Sequence, residues 1–223
     1  FYYHVLGFKK RRKLNNVFLG QDSREDDIKL FIKKHSLRVK KMTDRELLNF
    51  ISTKISQGKV VGWFEGRAEF GPRALGHRSI LADSRNPKMR DIVNAKIKFR
   101  EEFRPFAPVI LAEHANKYFN ITSKNLSPFM LGTFEAKLPA KRNSPATVHE
   151  DGTSRVQVVD RNYAGKYRKL LQSFYRKTGV PILLNTSFNV KGEPIVNTAS
   201  DAYKTFMSSG IDILVLENYV LEK

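Results

Sequence analysis

Thr43 and Glu46 stand three residues apart as a capping box, and Leu47, Leu48, Phe50, Ile51 and Ile55 recur behind them at helical spacing before Gly58. That pattern predicts a helix over 44–57. The period then changes. Val60, Val61, Trp63 and Phe64 form a short β-branched and aromatic run, as a strand buried on both faces would. Pro87 at a first-turn position and an apolar face of Met89, Ile92, Val93 and Ile97 predict a helix ending near Lys98. Residues 106–111 read as the next strand, with others over 129–134 and 153–159. Tyr167, Leu170, Leu171, Phe174, Tyr175 and Thr178, closed by Gly179 and Pro181, make the clearest helix. A strand over 180–184, a helix over 201–208 and a strand over 211–216 complete the pattern. Strands alternating with helices predict an α/β fold: a twisted mixed sheet, largely buried, with flanking helices. The Pro, Ser and Lys-rich stretch 137–147 reads as the main internal loop.

The length of 223 residues allows one large domain or two small ones, and 41% apolar residues, including 16 Phe and 8 Tyr, exclude disorder for most of it. The absence of Cys removes disulfides, thiolate zinc sites and cysteine nucleophiles. No apolar run approaches the ~20 residues of a membrane span. Apolar residues 1–8 precede the basic run 9–13, the reverse of a secretory signal, so the expected location is cytoplasmic. A first residue other than Met suggests a piece of a longer protein.

Charge changes the picture further. Lys and Arg number 40 against 22 Asp and Glu, a net +18, and residues 1–41 hold 12 of those cations against 4 acids. The expected division is a basic lead-in over 1–41 and a body over 42–223.

The body concentrates Arg67, Arg73, Arg78, Lys98, Arg100 and Arg104 among glycines and prolines, which points to a polyanion site. The Gly71 to Gly76 spacing echoes a phosphate loop, but His77 and Arg78 stand where Lys and Ser or Thr belong. What remains is a turn whose backbone N–H groups approach a ligand, with Arg73 and Arg78 gripping phosphate oxygens. The alternative is a surface network pairing Arg67, Arg73 and Arg78 with Glu65, Glu69 and Asp83. Arg155 sits on a turn, open to solvent or site. Asn185, Thr186, Ser187 and Asn189 follow an apolar strand that would deliver them to a sheet edge. The five histidines lack helical metal spacing, and His149-Glu150-Asp151 is either a divalent-ion holder or a polar turn.

Several long stretches resemble the C-terminal, YrdC-like domain of O-carbamoyltransferases of the nodulation and antibiotic-tailoring kind (NodU/CmcH type). They are residues 62–67 and 70–76, Arg78-Ser79-Ile80-Leu81-Ala82-Asp83, Lys98-Phe99-Arg100-Glu101, residues 103–108, Ser127-Pro128-Phe129-Met130, Asp151-Gly152-Thr153, residues 185–189 and residues 192–196. The resemblance runs in order from about 43 to 223 and implies a YrdC-like mixed sheet. It also implies that carbamoyl phosphate and ATP, with Mg2+, are converted to carbamoyl-adenylate, for transfer to an acceptor hydroxyl by a covalently linked N-terminal Kae1-like domain. By resemblance, Arg73, Lys98, Arg104, Arg155, Asn185 and Ser187 hold the phosphates and the carbamoyl group, with Lys98, Arg73 and Arg104 expected as the catalytic cations. Arg67 and Arg78, from the cation cluster, are expected to join Arg155, Asn185 and Ser187 in binding substrate or nucleotide. No protein-held metal is expected; a homodimer is allowed. The rival reading is an RNA-binding YrdC-like module without carbamoylation activity, to which +18 would also suit; the absence of an RNP-type aromatic pair weighs against it.

Overall fold

A computed structural model describes residues 4–7, 16–101, 103–163 and 165–223. The basic run 9–13 lies outside the described residues.

In chain order the elements are α1 Glu25–Lys34, β1 Lys40–Lys41, α2 Asp44–Ser56, β2 Val61–Phe64, β3 Arg78–Asp83 and α3 Met89–Val93, which widens into a π-helical turn, Asn94–Lys98. Next come β4 Ala107–Leu111, α4 Ala112–Tyr118, β5 Phe134–Glu135, α5 Leu138–Asn143, β6 Thr153–Ser154 and β7 Gln157–Val159. The last are α6 Tyr167–Thr178, β8 Ile182–Ser187, α7 Ala199–Ser208, β9 Ile213–Leu216 and β10 Tyr219–Glu222. Among the described residues eight strands form one sheet in the order β1-β10-β9-β2-β3-β8-β4-β7, and β5 and β6 pair separately. The sheet is mixed, as expected: β2 with β9 and β4 with β7 run parallel, the other neighbours antiparallel.

Strand side chains alternate between two cores. On one face Phe64, Ile80, Ala82, Leu184 and Leu214 pack with Ile28 of α1, Met89 and Val93 of α3 and Phe206 of α7. On the other, Val61, Trp63, Leu81, Leu183 and Val215 meet Leu47, Ile51 and Ile55 of α2 and Leu170, Leu171 and Phe174 of α6. The capping box at Thr43 and the left-handed Gly179 at the end of α6 are both present.

Four expected features differ. The strand expected over 153–159 divides into β6 and β7, which lie in different sheets. Residues 127–129 form a 3-10 turn ending in a left-handed Met130, and only Phe134–Glu135 pairs as a strand. The stretch 137–147 is mostly helical, as α5 and a 3-10 turn over Pro145–Thr147, because Ala140 and Ala146 are buried and need backbone bonds met locally. The lead-in is partly built into the body: β1 extends the sheet edge beside β10, and α1 packs on α7.

Candidate functional site

Strand β8 supplies one wall of a cleft. Its alternation puts Asn185 and Ser187 on one face. Asn185, 1% exposed, donates from Nδ2 to Ala74 O at 3.1 Å and Gln157 Oε1 at 2.9 Å, while its Oδ1 has no partner within the protein. Phe188, between Ser187 and Asn189, drives its ring onto the backbone of Gly62, where an added Cβ would come within 2.6 Å of it.

The π-helical turn after α3 brings in the next residue, as such widened turns commonly do at sites. Lys98, 4% exposed, donates from Nζ to Ser187 O (2.6 Å) and Oγ (3.2 Å) and to Asn189 O (2.9 Å) and Oδ1 (2.7 Å). Burial, and then the charge of Arg100, push this ammonium down to about 7, against a smaller opposing pull from Glu193. The four oxygens around it work for the charged form. Lys98 therefore braces the wall from behind.

Buried Asn94 fixes the arginines that follow. Its Oδ1 accepts from Arg100 Nε at 2.8 Å and its Nδ2 donates to Arg104 O at 3.0 Å. Arg100 also lies over the Phe106 ring, 4.8 Å from its centroid. The half-exposed Arg104 side chain pairs with Glu101 at 2.9 Å.

The loop from Gly71 to Gly76 carries Arg73. Glu69 Oε1 accepts from the backbone N–H groups of Leu75 (2.7 Å), His77 (2.9 Å) and Arg78 (3.2 Å), so these donors serve the protein's own carboxylate and not a ligand. Gln157 Nε2 and Tyr163 OH donate to Leu75 O at 2.7 and 2.6 Å. Gly76, at φ 115, lies so close to Tyr163 and Tyr167 that no side chain fits.

Arg73, Arg100, Arg104 and Arg155 line a single cleft of about 320 Å³ with His149, Phe106, Met130, Asn185 and Ser187. Among the described residues no carboxylate belongs to that lining, and neither Arg73 nor Arg155 forms an ion pair. Burial and then the charge of Arg155 lower the Arg73 pKa, burial and then Arg104 lower that of Arg100 against a smaller pull from Glu101, and His149 falls through burial, with Arg155 adding to it against Asp151. Mutual repulsion of this kind is relieved by an anion. A larger cavity of about 660 Å³, lined by Glu25, Glu46, Glu217 and Lys41, has the opposite character and does not suit one.

The structure thus gathers Arg73, Arg104, Arg155, Asn185 and Ser187 at one cleft, with Lys98 behind its wall. It does not bring Arg67 or Arg78 there. Arg78 is fully buried, donating to the carbonyls of Glu65, His77 and Gly66 and stacking 3.7 Å over Phe64. Arg67 donates to Leu19 O and Gly20 O at 3.1 Å each. The expected surface ion network is not what forms either: Glu65 lies 3.7 Å from Lys166, and Asp83 pairs with Arg85. Burial raises the Glu65 carboxyl to about 7. Asp151 accepts from the backbone and hydroxyl of Thr153, making 149–151 a polar turn. Among the described residues no three His, Asp or Glu side chains gather as a metal site.

Arg100 and His149 join the cleft although the resemblance did not assign them. Arg100 was visible in the cation run; His149 stands out in the sequence only within the His149-Glu150-Asp151 triplet, as a divalent-ion holder or a polar turn, and not as a neighbour of the arginines.

Residues 52–223 match the family model described as carbamoyltransferase C-terminus. The chain belongs to this family. Similar proteins include nodulation protein NolNO of Sinorhizobium fredii, 46% identical over 76% of this chain and 25% of that protein. Nodulation protein NolO of Bradyrhizobium diazoefficiens is 38% identical over 96% of this chain and 39% of its own length. An uncharacterized Synechocystis protein, sll1178, is 40% identical over 96% of this chain and 38% of its length. The chain therefore spans less than two fifths of these relatives. The fold is similar to part of full-length HypF, solved in a phosphate- and nucleotide-bound form, with a TM-score of 0.52 and 17% identity over 77% of this chain and 25% of that one. Among the described residues no helix is long and apolar enough to cross a membrane.

Proposed function

We propose that the arginine cleft binds carbamoyl phosphate and ATP and forms carbamoyl-adenylate, which a covalently linked N-terminal Kae1-like domain passes to an acceptor hydroxyl. The observation that carries this reading is four guanidinium groups on a cleft that no carboxylate among the described residues lines, beside the unpartnered Oδ1 of Asn185. Of the four, Arg104 alone pairs with a carboxylate among those residues, that of Glu101. ATP brings about four negative charges and carbamoyl phosphate about two, and each pair of unit charges at ~4 Å repels by roughly 4 kcal/mol at an effective dielectric of 20. Several fixed cations are required before the substrates can meet.

In this reading Arg73, Arg104, Arg100 and Arg155 take phosphate oxygens, bidentately where the guanidinium fork allows. Asn185 Oδ1 accepts from the carbamoyl amide, and Ser187, whose hydroxyl donates to Asn189 Oδ1 at 2.7 Å, lines the pocket beside it. For the atoms to balance, water cleaves the acyl phosphate, releasing phosphate and leaving carbamate. A carbamate oxygen then attacks the α-phosphorus and pyrophosphate departs as the α–β bridging P–O bond breaks. Catalysis comes from positioning and charge stabilisation, with no side-chain nucleophile. The Mg2+ that accompanies ATP would be held by its phosphates. HypF, similar in fold, was solved with phosphate and nucleotide, which supports the same ligand class here.

The test is carbamoyl phosphate-dependent exchange of pyrophosphate into ATP. Exchange that disappears in Arg73→Ala supports the reading. Salt-sensitive RNA binding without exchange overturns it in favour of the nucleic-acid module.

A further inference from the structure

The loop that carries Arg73 has two roots, residues 66–70 before it and His77 after it, and one distant segment touches both. On the entry side Phe70 N donates to Val17 O at 2.7 Å, Ala68 N to Gln21 O at 2.9 Å and Gly20 N to Ala68 O at 2.9 Å. Gly20 approaches so closely that an added Cβ would sit 2.9 Å from Ala68. On the exit side the Phe18 ring stacks flat on the His77 imidazole, with centroids 3.7 Å apart and planes 8° from parallel. Tyr163 meets Phe18 edge-on at 5.5 Å.

Arg67 closes the circuit. Its guanidinium spans the carbonyls of Leu19 and Gly20, and its own carbonyl lies 2.6 Å from His77 Nδ1. From His77 the connection passes to the loop itself, because His77 N and Leu75 N share Glu69 Oε1. Leu75 O is in turn held by Gln157, whose Oε1 accepts from Asn185. The segment 17–21 is thus tied to the spacing of the loop's two ends while lying outside the cleft.

We propose that residues 17–21 are a clasp that sets the position of Arg73 through both roots of its loop, with Phe18 and Arg67 as its positioning residues. The inference deepens the reading of the cleft as a phosphate site and rests on it for its effect on binding. Neither side chain touches the substrate. A guanidinium whose fork meets phosphate bidentately tolerates little displacement, and misplacement of a binding group by ~1 Å can cost up to about a hundredfold. The Arg67 side chain lies at the surface, so its truncation leaves the two cores untouched.

The test uses the full chain with inorganic phosphate as the probe, in wild type, Phe18→Ala, Phe18→Tyr, Arg67→Ala, Arg73→Ala and the Phe18→Ala/Arg67→Ala double variant. Calorimetry is expected to show phosphate affinity lowered by about fivefold or more in each clasp variant, sub-additively in the double variant, and restored in Phe18→Tyr, whose ring still stacks. Amide hydrogen exchange is expected to quicken over 66–77 in Phe18→Ala and Arg67→Ala and stay unchanged in α6. Unchanged exchange over 66–77 overturns the clasp whatever phosphate does. Quickened exchange with wild-type phosphate affinity overturns its link to Arg73. A wild type that ignores phosphate, equal to Arg73→Ala, overturns the reading of the cleft, and exchange over 66–77 still decides whether the clasp holds the loop.

Discussion

Arg73 and Arg155 line the same cleft without an acidic partner among the described residues, and after burial it is the charge of Arg155 that draws the Arg73 guanidinium below the ordinary arginine range. Two like charges held in this way store repulsion that a phosphate group discharges. Arg155→Ala is therefore expected to cost less than about 0.5 kcal/mol of stability, as for a substitution that removes no buried contact. The same variant should weaken phosphate binding about tenfold through the lost charge-assisted bonds. Thermal unfolding and titration calorimetry on the same samples check both.

Lys98 gives the opposite balance. Lys98→Met leaves the Asn189 carbonyl without its donor and takes one of two donors from the Ser187 carbonyl and from the Asn189 amide oxygen, which keep Asn189 N–H and the Ser187 hydroxyl, at an expected cost of ~2 kcal/mol. Its pKa of about 7 lies below that of an unfolded-chain lysine. Between these values the unfolded chain holds the proton and the folded one does not, so this group makes stability rise with pH from about 7 upward. Below 7 both states are protonated and its contribution is flat. Denaturant midpoints at pH 6, 7, 8 and 9, values chosen to bracket that pKa, should show the rise in wild type and its loss in Lys98→Met.

Glu69 separates charge from geometry. In Glu69→Ala three backbone N–H groups lose one shared acceptor, an expected loss of ~2 kcal/mol together with weaker phosphate binding. Glu69→Gln keeps an acceptor oxygen and should retain most of both. Equal damage from the two variants in unfolding and calorimetric titrations would mean that the negative charge, and not the acceptor, organises the loop.

Gly76→Ala is expected to destabilise by at least about 2 kcal/mol, since it adds a methyl at φ 115 against the Tyr167 ring. Thermal unfolding checks this, and Gly71→Ala, at φ 133 with open space around it, should be milder.

Elements with a clean period were legible residue by residue: α6 carries its apolar spacing and Gly179, α2 its capping box. Strand β3 was not read as a strand, because its first residue is Arg78 and its buried positions include Ser79 and Asp83. Sequence gives no sign that a guanidinium will donate to three carbonyls beneath the surface. Short helices such as α5 escape for another reason: six residues hold too few apolar positions to define a face. At the cleft, cations among glycines and prolines pointed to Arg73 and Arg104, and a place after an apolar strand pointed to Asn185. What separated them from Arg67 and Arg78 is tertiary: which way β3 enters the sheet, and which segment lies across residues 66–70.

The Phe188 ring seated over Gly62 ties Ser187 and Asn189 to the middle of the sheet. That side of the cleft is stiffened when the chain folds, and a guest need not arrange it on arrival. The freedom that binding must quench resides in the opposing arginines and in the backbone around Gly71, so the entropic penalty of capture falls on those few torsions.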